Sequence, residues 1–270
     1  MTGRLEGKVA LVSGAARGQG RSHALRLAEE GAEIIAFDLL DEVDSVLYPL
    51  ATQEDLDETV NEVEKLDRRI VAGQADVRDL AAVQGIVDEG VAQFGRLDVV
   101  CANAGIVSMA ENAWTLSEEA WDDMIGINLT GVWKTCRAAI PAMLEAGNGG
   151  SIAITSSTAG IRGMAGIAHY ASAKHGVVGL ARTLAHELAP HHIRVNTVHP
   201  TAVDTPMVNN EITAAWIEEQ EGAAANIENL LPVSIIEAVD ISNAIVWLAS
   251  DEARYVTGVS LPVDAGFTQK

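Results

Sequence analysis

Short runs of β-branched and apolar residues alternate with longer stretches whose apolar positions recur every three or four residues, from one end of the chain to the other. Residues 8–13 (KVALVS), Glu33–Asp38 (EIIAFD), 70–75, 97–102 (LDVVCA), 151–156, 193–198 and 259–263 predict strands. Helical periodicity predicts helices from the first glycine-rich turn to about Gly31, then over 53–67 and 79–94. It continues from about 117 to 146, with Pro141 near the end, then over about 167–189 and 237–250. The strands are continuously apolar rather than alternating, which implies burial on both faces. A doubly wound α/β fold follows, with a parallel sheet flanked by helices and a single domain over 1–270.

Two stretches exceed what a simple connection needs. Residues 39–52 (LLDEVDSVLYPLAT) mix apolar and acidic positions around Pro49, and residues 200–235 form a long irregular segment. Both follow the C-terminal end of a strand, the edge where open α/β sheets bind ligands, and long loops there act as lids or binding loops. The first is therefore expected near a cofactor and the second as a substrate loop, with Trp216 a candidate for lining the pocket. Trp114, Trp121 and Trp133 are expected as core or helix-interface residues.

Charge narrows the partners. A net charge of −20 opposes binding to nucleic-acid phosphates. No apolar run has membrane-spanning length, and the polar start MTGRLEGK lacks the apolar stretch of a secretory signal, so a cytoplasmic location is expected. Cys101 and Cys136 lie in apolar stretches without metal-ligand spacing and read as buried free thiols. His186-Glu187 lacks the second histidine of a zinc-binding HExxH, since Pro190 stands there, and no metal is expected.

The turn Gly14-Ala15-Ala16-Arg17-Gly18-Gln19-Gly20 lies between the first strand and the first helix. There glycines let a pyrophosphate approach the backbone N–H groups of a helix N-terminus. Asp38 ends the next strand, beside Leu39, where a carboxylate accepts from adenosine ribose hydroxyls and repels a 2′-phosphate. This favours NAD over NADP despite the nearby Arg17. Tyr170 and Lys174 share one helix face at (i, i+4), an arrangement in which an ammonium lowers a tyrosine pKa for proton transfer. Upstream, at the end of a predicted strand, Ser157 or its neighbour Ser156 could hydrogen-bond a reacting oxygen.

With these features the chain resembles the short-chain dehydrogenase/reductase family over its whole length, through the Gly-rich turn after Ser13, Asn103-Ala104-Gly105, Asn128 in Asn-Leu-Thr-Gly, and Tyr170/Lys174. The resemblance selects Ser157 over Ser156, because Gly160 follows in register. It implies an Asn128/Ser157/Tyr170/Lys174 tetrad, with Asn128 holding a water that links Lys174 to solvent. It places Asp76-Val77 against adenine, and Pro200, Thr201, Val203 and Thr205 near the nicotinamide. Thr201 stands where the family usually has Gly. It also implies NAD-dependent interconversion of a hydrophobic secondary alcohol and its ketone, by a homotetramer using the helices around 83–94 and 121–144.

More narrowly, GAARGQGRSHALRLAEEGA, the 39–52 insertion and HPTAVDTPM resemble the mycofactocin-associated, carveol-dehydrogenase-like branch. There the insertion is thought to hinder cofactor exchange and mycofactocin to act as external electron acceptor. The alternatives are an ordinary short-chain reductase with exchanging NAD(P)(H), such as a 3-oxoacyl reductase, and a non-catalytic nucleotide-sensing scaffold. The complete tetrad argues against the scaffold.

Overall fold

Each strand of the sheet presents alternate residues to opposite faces, and the core divides accordingly. In β1 (Val9–Ser13), Val9 and Leu11 join one apolar cluster while Ala10 and Val12 join another. In β2 (Glu33–Asp38) the same split sends Ile35 and Phe37 one way and Ile34 and Ala36 the other. Such strands need cover on both sides. Full burial of each Leu or Ile side chain contributes about 1.5–3 kcal/mol.

The structure, a computed structural model, describes residues 3–219 and 228–270, with the side chains of 216–219 excepted. Its remaining strands are β3 (Ile70–Gln74), β4 (Val99–Ala102), β5 (Gly150–Thr155), β6 (Ile193–Pro200) and β7 (Ser260–Val263). They form one seven-stranded sheet in the order β3-β2-β1-β4-β5-β6-β7, parallel at every pairing. The order reverses between β1 and β4, and the crevice there is the ligand edge of this topology.

Helices α1 (Gly18–Glu29), α2 (Gln53–Glu64) and α3 (Leu80–Phe94) follow the first three strands, and α4 (Glu118–Ile125) leads into α5 (Val132–Ala146). Then come α6 (Ala168–Leu188), α7 (Glu211–Glu219) and α8 (Ala238–Ala249). Leu27 of α1 and Ile241 and Ile245 of α8 pack on one face of the sheet. Val83 and Val87 of α3, Val132 of α5 and Val177 of α6 pack on the other. Among the described residues no helix is long and apolar enough to cross a membrane.

Three expectations change. The run 117–146 is interrupted by a π-helical stretch, Gly126–Gly131, that carries Asn128. The segment 200–235 is not wholly irregular, since α7 lies within it. Trp114, Trp121 and Trp133 are 85%, 41% and 40% exposed, Trp114 lying in a turn before α4, so none of the three is a core residue. Cys101 and Cys136 are buried and unpaired, and burial pushes both thiols up to about 12.

Candidate active site

The strand ends at the β1/β4 crevice are stapled before any ligand is considered. The Ser13 hydroxyl accepts from the N–H groups of Asn103 (3.0 Å) and Ala104 (3.1 Å), and the Asn103 amide donates back to the Ser13 carbonyl at 3.1 Å. Gly14, at φ +68°, lies so close to the second strand end that a Cβ there would sit 2.8 Å from the Ala104 Cα. A Cβ on Gly20 would sit 1.8 Å from the Gly14 carbonyl oxygen. These contacts explain the glycine spacing as close packing of turn, strand and helix.

The first turn of α1 has no side-chain cap and no acidic residue, whereas α2, α3 and α4 are capped by Thr52, Asp79 and Ser117. Its N–H groups therefore remain available to an anion. At the end of β2, Asp38 accepts from the N–H groups of Ala16 and Leu39, both at 2.8 Å. Each carboxylate oxygen keeps a further lone pair for a ribose hydroxyl. Burial raises the Asp38 pKa, opposed by those two N–H groups and the Arg17 charge. The Gln19 side-chain carbonyl oxygen is buried without a partner. A Gly cradle, an uncapped helix start, an acceptor at the ribose position and an orphaned amide together fit a dinucleotide.

Opposite this wall, β5 runs into Ser156 and Ser157, and the structure separates their tasks. The Ser156 hydroxyl is buried and donates to the Lys174 carbonyl at 2.9 Å, so it ties β5 to α6. Ser157 lines the cleft beside Tyr170 and is only half-buried, its hydroxyl accepting from the Ala159 N–H at 3.1 Å. A Cβ on Gly160 would meet the Ser156 Oγ at 2.2 Å and the Lys174 carbonyl at 2.7 Å, so glycine lets this turn rest on α6. The Lys174 Nζ lies 5.5 Å from the Tyr170 ring centroid and donates to the Thr155 carbonyl at 2.8 Å. Burial brings the Lys174 pKa down to about 8. Burial raises that of Tyr170, while the Ser157 hydroxyl lowers it.

Asn128 is placed differently from the rest. It is fully buried, donating to the Ile106 carbonyl at 2.8 Å and accepting from the Ile106 N–H at 2.9 Å. Its carboxamide fixes the strand-end backbone and forms no hydrogen bond to Lys174. Apart from Asn128, the site residues expected from the sequence line one open cleft. Asp76 is engaged by Arg78 there (N–H at 2.7 Å, Nε at 2.9 Å), and Val77 is buried beside it. Along the far rim, no residue from Pro200 to Thr205 has a left-handed φ, so Thr201 replaces Gly without strain, its hydroxyl donating to the Asn229 side-chain oxygen at 2.9 Å. Val203 bridges to Ile236, and the Thr205 methyl approaches Gly18. The Trp216 side chain lies outside the described residues.

Sequence reasoning did not single out Tyr48, Leu50, Ala51 or Met207, which also line the cleft. The first three belong to the 39–52 insertion. Tyr48 is buried, its hydroxyl accepts from the Val107 N–H at 3.2 Å, and burial pushes its pKa up to about 12. The Arg17 guanidinium donates to the Pro49 carbonyl, and the Ser45 hydroxyl donates to Asp123 at 2.8 Å. Val43 and Val46 reach the core. Only the tyrosine inside an acidic, proline-containing loop could have hinted at this.

A family model described as enoyl-(acyl carrier protein) reductase matches residues 14–268. The chain is 50% identical to the (-)-trans-carveol dehydrogenase of Rhodococcus erythropolis over 275 aligned residues, covering 99% of each protein. The carveol dehydrogenase of Mycobacterium avium, solved in complex with NAD, superposes with a TM-score of 0.96 at 52% identity over 100% of both chains. A short chain dehydrogenase from Mycobacterium paratuberculosis bound to NAD superposes with a TM-score of 0.95 at 46% identity, over 99% of this chain and 100% of that one.

Proposed function

Because this chain belongs to the short-chain dehydrogenase/reductase family, we propose that it is an NAD-dependent dehydrogenase converting a hydrophobic secondary alcohol of the carveol type into its ketone. The observation that carries the reading is the meeting of Ser157, Tyr170 and Lys174 in the cleft that also holds the Gly turn and Asp38. A nucleotide-sensing scaffold would need only the second group.

The Gly14–Gly20 turn, with the free N–H groups of α1, would hold the pyrophosphate. Asp38 would hold the adenosine ribose, Asp76-Val77 the adenine side, and the 200–205 rim the nicotinamide side. When bound, NAD supplies the hydride acceptor for the carbinol carbon. The protein's own part is proton transfer and orientation. Ser157 directs the substrate oxygen, and Tyr170 as phenolate takes the hydroxyl proton. Lys174, its Nζ 5.5 Å from the Tyr170 ring centroid, stabilises that phenolate through its ammonium charge. Oxidation should therefore rise with pH as Tyr170 deprotonates, and carbonyl reduction should fall. Asn128, through Ile106, would hold the segment that follows β4.

The insertion supports a narrower reading, in which NAD stays bound through turnover and an external acceptor such as mycofactocin reoxidises it. Three polar ties and two buried valines hold 39–52 beside the cleft. Exposed Trp121, Trp133 and Leu144 support the α4/α5 side as a homotetramer contact, and residues 200–235 would form the substrate side. Gel filtration followed by denaturation tests retention. This reading expects NAD(H) in the denatured protein, and sustained carveol oxidation only with an artificial electron acceptor. Cofactor-free protein that turns over with added NAD would instead establish an ordinary exchanging dehydrogenase.

A further inference from the structure

Behind the cleft, β6 carries a histidine that the proposed mechanism does not use. His199 is fully buried, and its Nδ1 lies 2.7 Å from the main-chain carbonyl oxygen of Ser157. A carbonyl only accepts, so Nδ1 carries the proton and donates. Nε2 then has a free lone pair and accepts from the Thr197 hydroxyl at 2.7 Å. One tautomer satisfies both nitrogens. Burial and the Lys174 charge push the His199 pKa down, consistent with a neutral ring.

The location explains what the ring can do. Ladder pairing between β5 and β6 ends at Thr155 opposite Val198, with the Ser156 N–H donating to the Val198 carbonyl at 2.8 Å. Ser157 lies one residue further on, where no strand partner remains. Its carbonyl is held by the Gly160 N–H at 2.9 Å on one side and by the His199 imidazole on the other. The side chain carried on that backbone shares the cleft lining with Tyr170 and Lys174.

We propose that His199 is a positioning residue for proton transfer, continuing the β5/β6 pairing through its Nδ1–H so that the Ser157 hydroxyl is held in the cleft beside Tyr170. The inference rests on the reading of Ser157 and Tyr170 given above. An amide at Asn reaches the Nδ1 position of histidine, whereas Gln reaches nearer Nε2, so the two variants separate the bond from the volume.

The test uses the full-length, NAD-bound protein with carveol. His199→Leu and His199→Gln should lower kcat by about tenfold or more, the scale of a misplaced catalytic group. NAD affinity should stay unchanged, and His199→Asn should stay within about fivefold of the parent, the scale of one hydrogen bond. In a Ser157→Ala background His199→Leu should cost almost nothing further. A tyrosinate absorbance titration, which needs no substrate, should show the Tyr170 pKa raised in His199→Gln and unmoved in His199→Asn.

Equal losses in the Asn and Gln variants, full additivity with Ser157→Ala, or an unmoved Tyr170 titration in His199→Gln would overturn the proposal. Should His199→Leu fail to fold, the Asn/Gln pair alone decides. If Ser157→Ala itself leaves turnover intact, the functional reading fails, and the titration still judges His199 separately.

Discussion

The proposed catalytic group and the insertion both border the same cleft, yet they are built in opposite ways. Ser157, Tyr170 and Lys174 stand on a strand end and a 21-residue helix, and backbone partners hold their surroundings at every turn. Ser156 bonds the Lys174 carbonyl, Lys174 bonds the Thr155 carbonyl, and Asn128 closes both polar groups of Ile106. The 39–52 insertion has no regular secondary structure, and its Leu47 is 73% exposed. It stays in place through Tyr48, Ser45, the Arg17–Pro49 contact and two buried valines. Chemistry needs groups fixed to fractions of an ångström and sits on rigid elements, whereas the proposed cover over the cofactor would need only a few ties. The two supports are therefore separable by mutation.

The largest effect should come from the rigid side. Tyr170→Phe removes the proton acceptor and leaves the cleft's shape, so turnover should fall by about 10²–10⁴-fold while NAD binding, measured by calorimetry or retention, persists. Parent-like turnover in that variant would place the proton transfer elsewhere. On the loose side the effects should be smaller and of another kind. Tyr48→Phe removes the acceptor of the Val107 N–H, and Ser45→Ala removes the donor to Asp123. Each should speed NAD release by about fivefold, the worth of roughly one hydrogen bond, with Ser45→Ala the weaker because its site is more exposed. A single turnover of pre-bound cofactor should keep its rate in both. Equal damage to chemistry and release would erase the distinction between the two supports.

What could be read from the sequence follows the same division. The strands and the Gly turn were legible because burial on both faces and close backbone packing impose local residue types, from VALVS to Gly14 and Gly20. Tyr170 and Lys174 were legible because helical spacing alone brings them to one face. Ser157 could not be separated from Ser156 by strand pattern, since both have hydroxyls and either might have faced the cleft; the family resemblance selected it, and the Ser156 bond to Lys174 gives the physical reason. Tyr48 and its ties were not legible, because contacts between a loop and a distant backbone N–H leave no periodicity. Nor was the π-helical stretch at Asn128, whose extra residue per turn barely changes the apolar pattern of 117–146. The exposed tryptophans mark the reverse case, where residue type suggests burial and position, a turn for Trp114 and a helix surface for Trp121 and Trp133, decides otherwise.

In the proposed reaction a secondary alcohol's proton leaves through Tyr170 as its hydride reaches bound NAD. It is tested most directly by mixing NAD-loaded protein with carveol carrying deuterium at the carbinol carbon and following reduced-nicotinamide absorbance through one turnover. The account predicts that reduced cofactor forms with the deuterium on its nicotinamide ring, and that Tyr170→Phe, equally loaded with NAD, forms almost none. Reduced cofactor without deuterium, or formation in Tyr170→Phe at the parent rate, would contradict it.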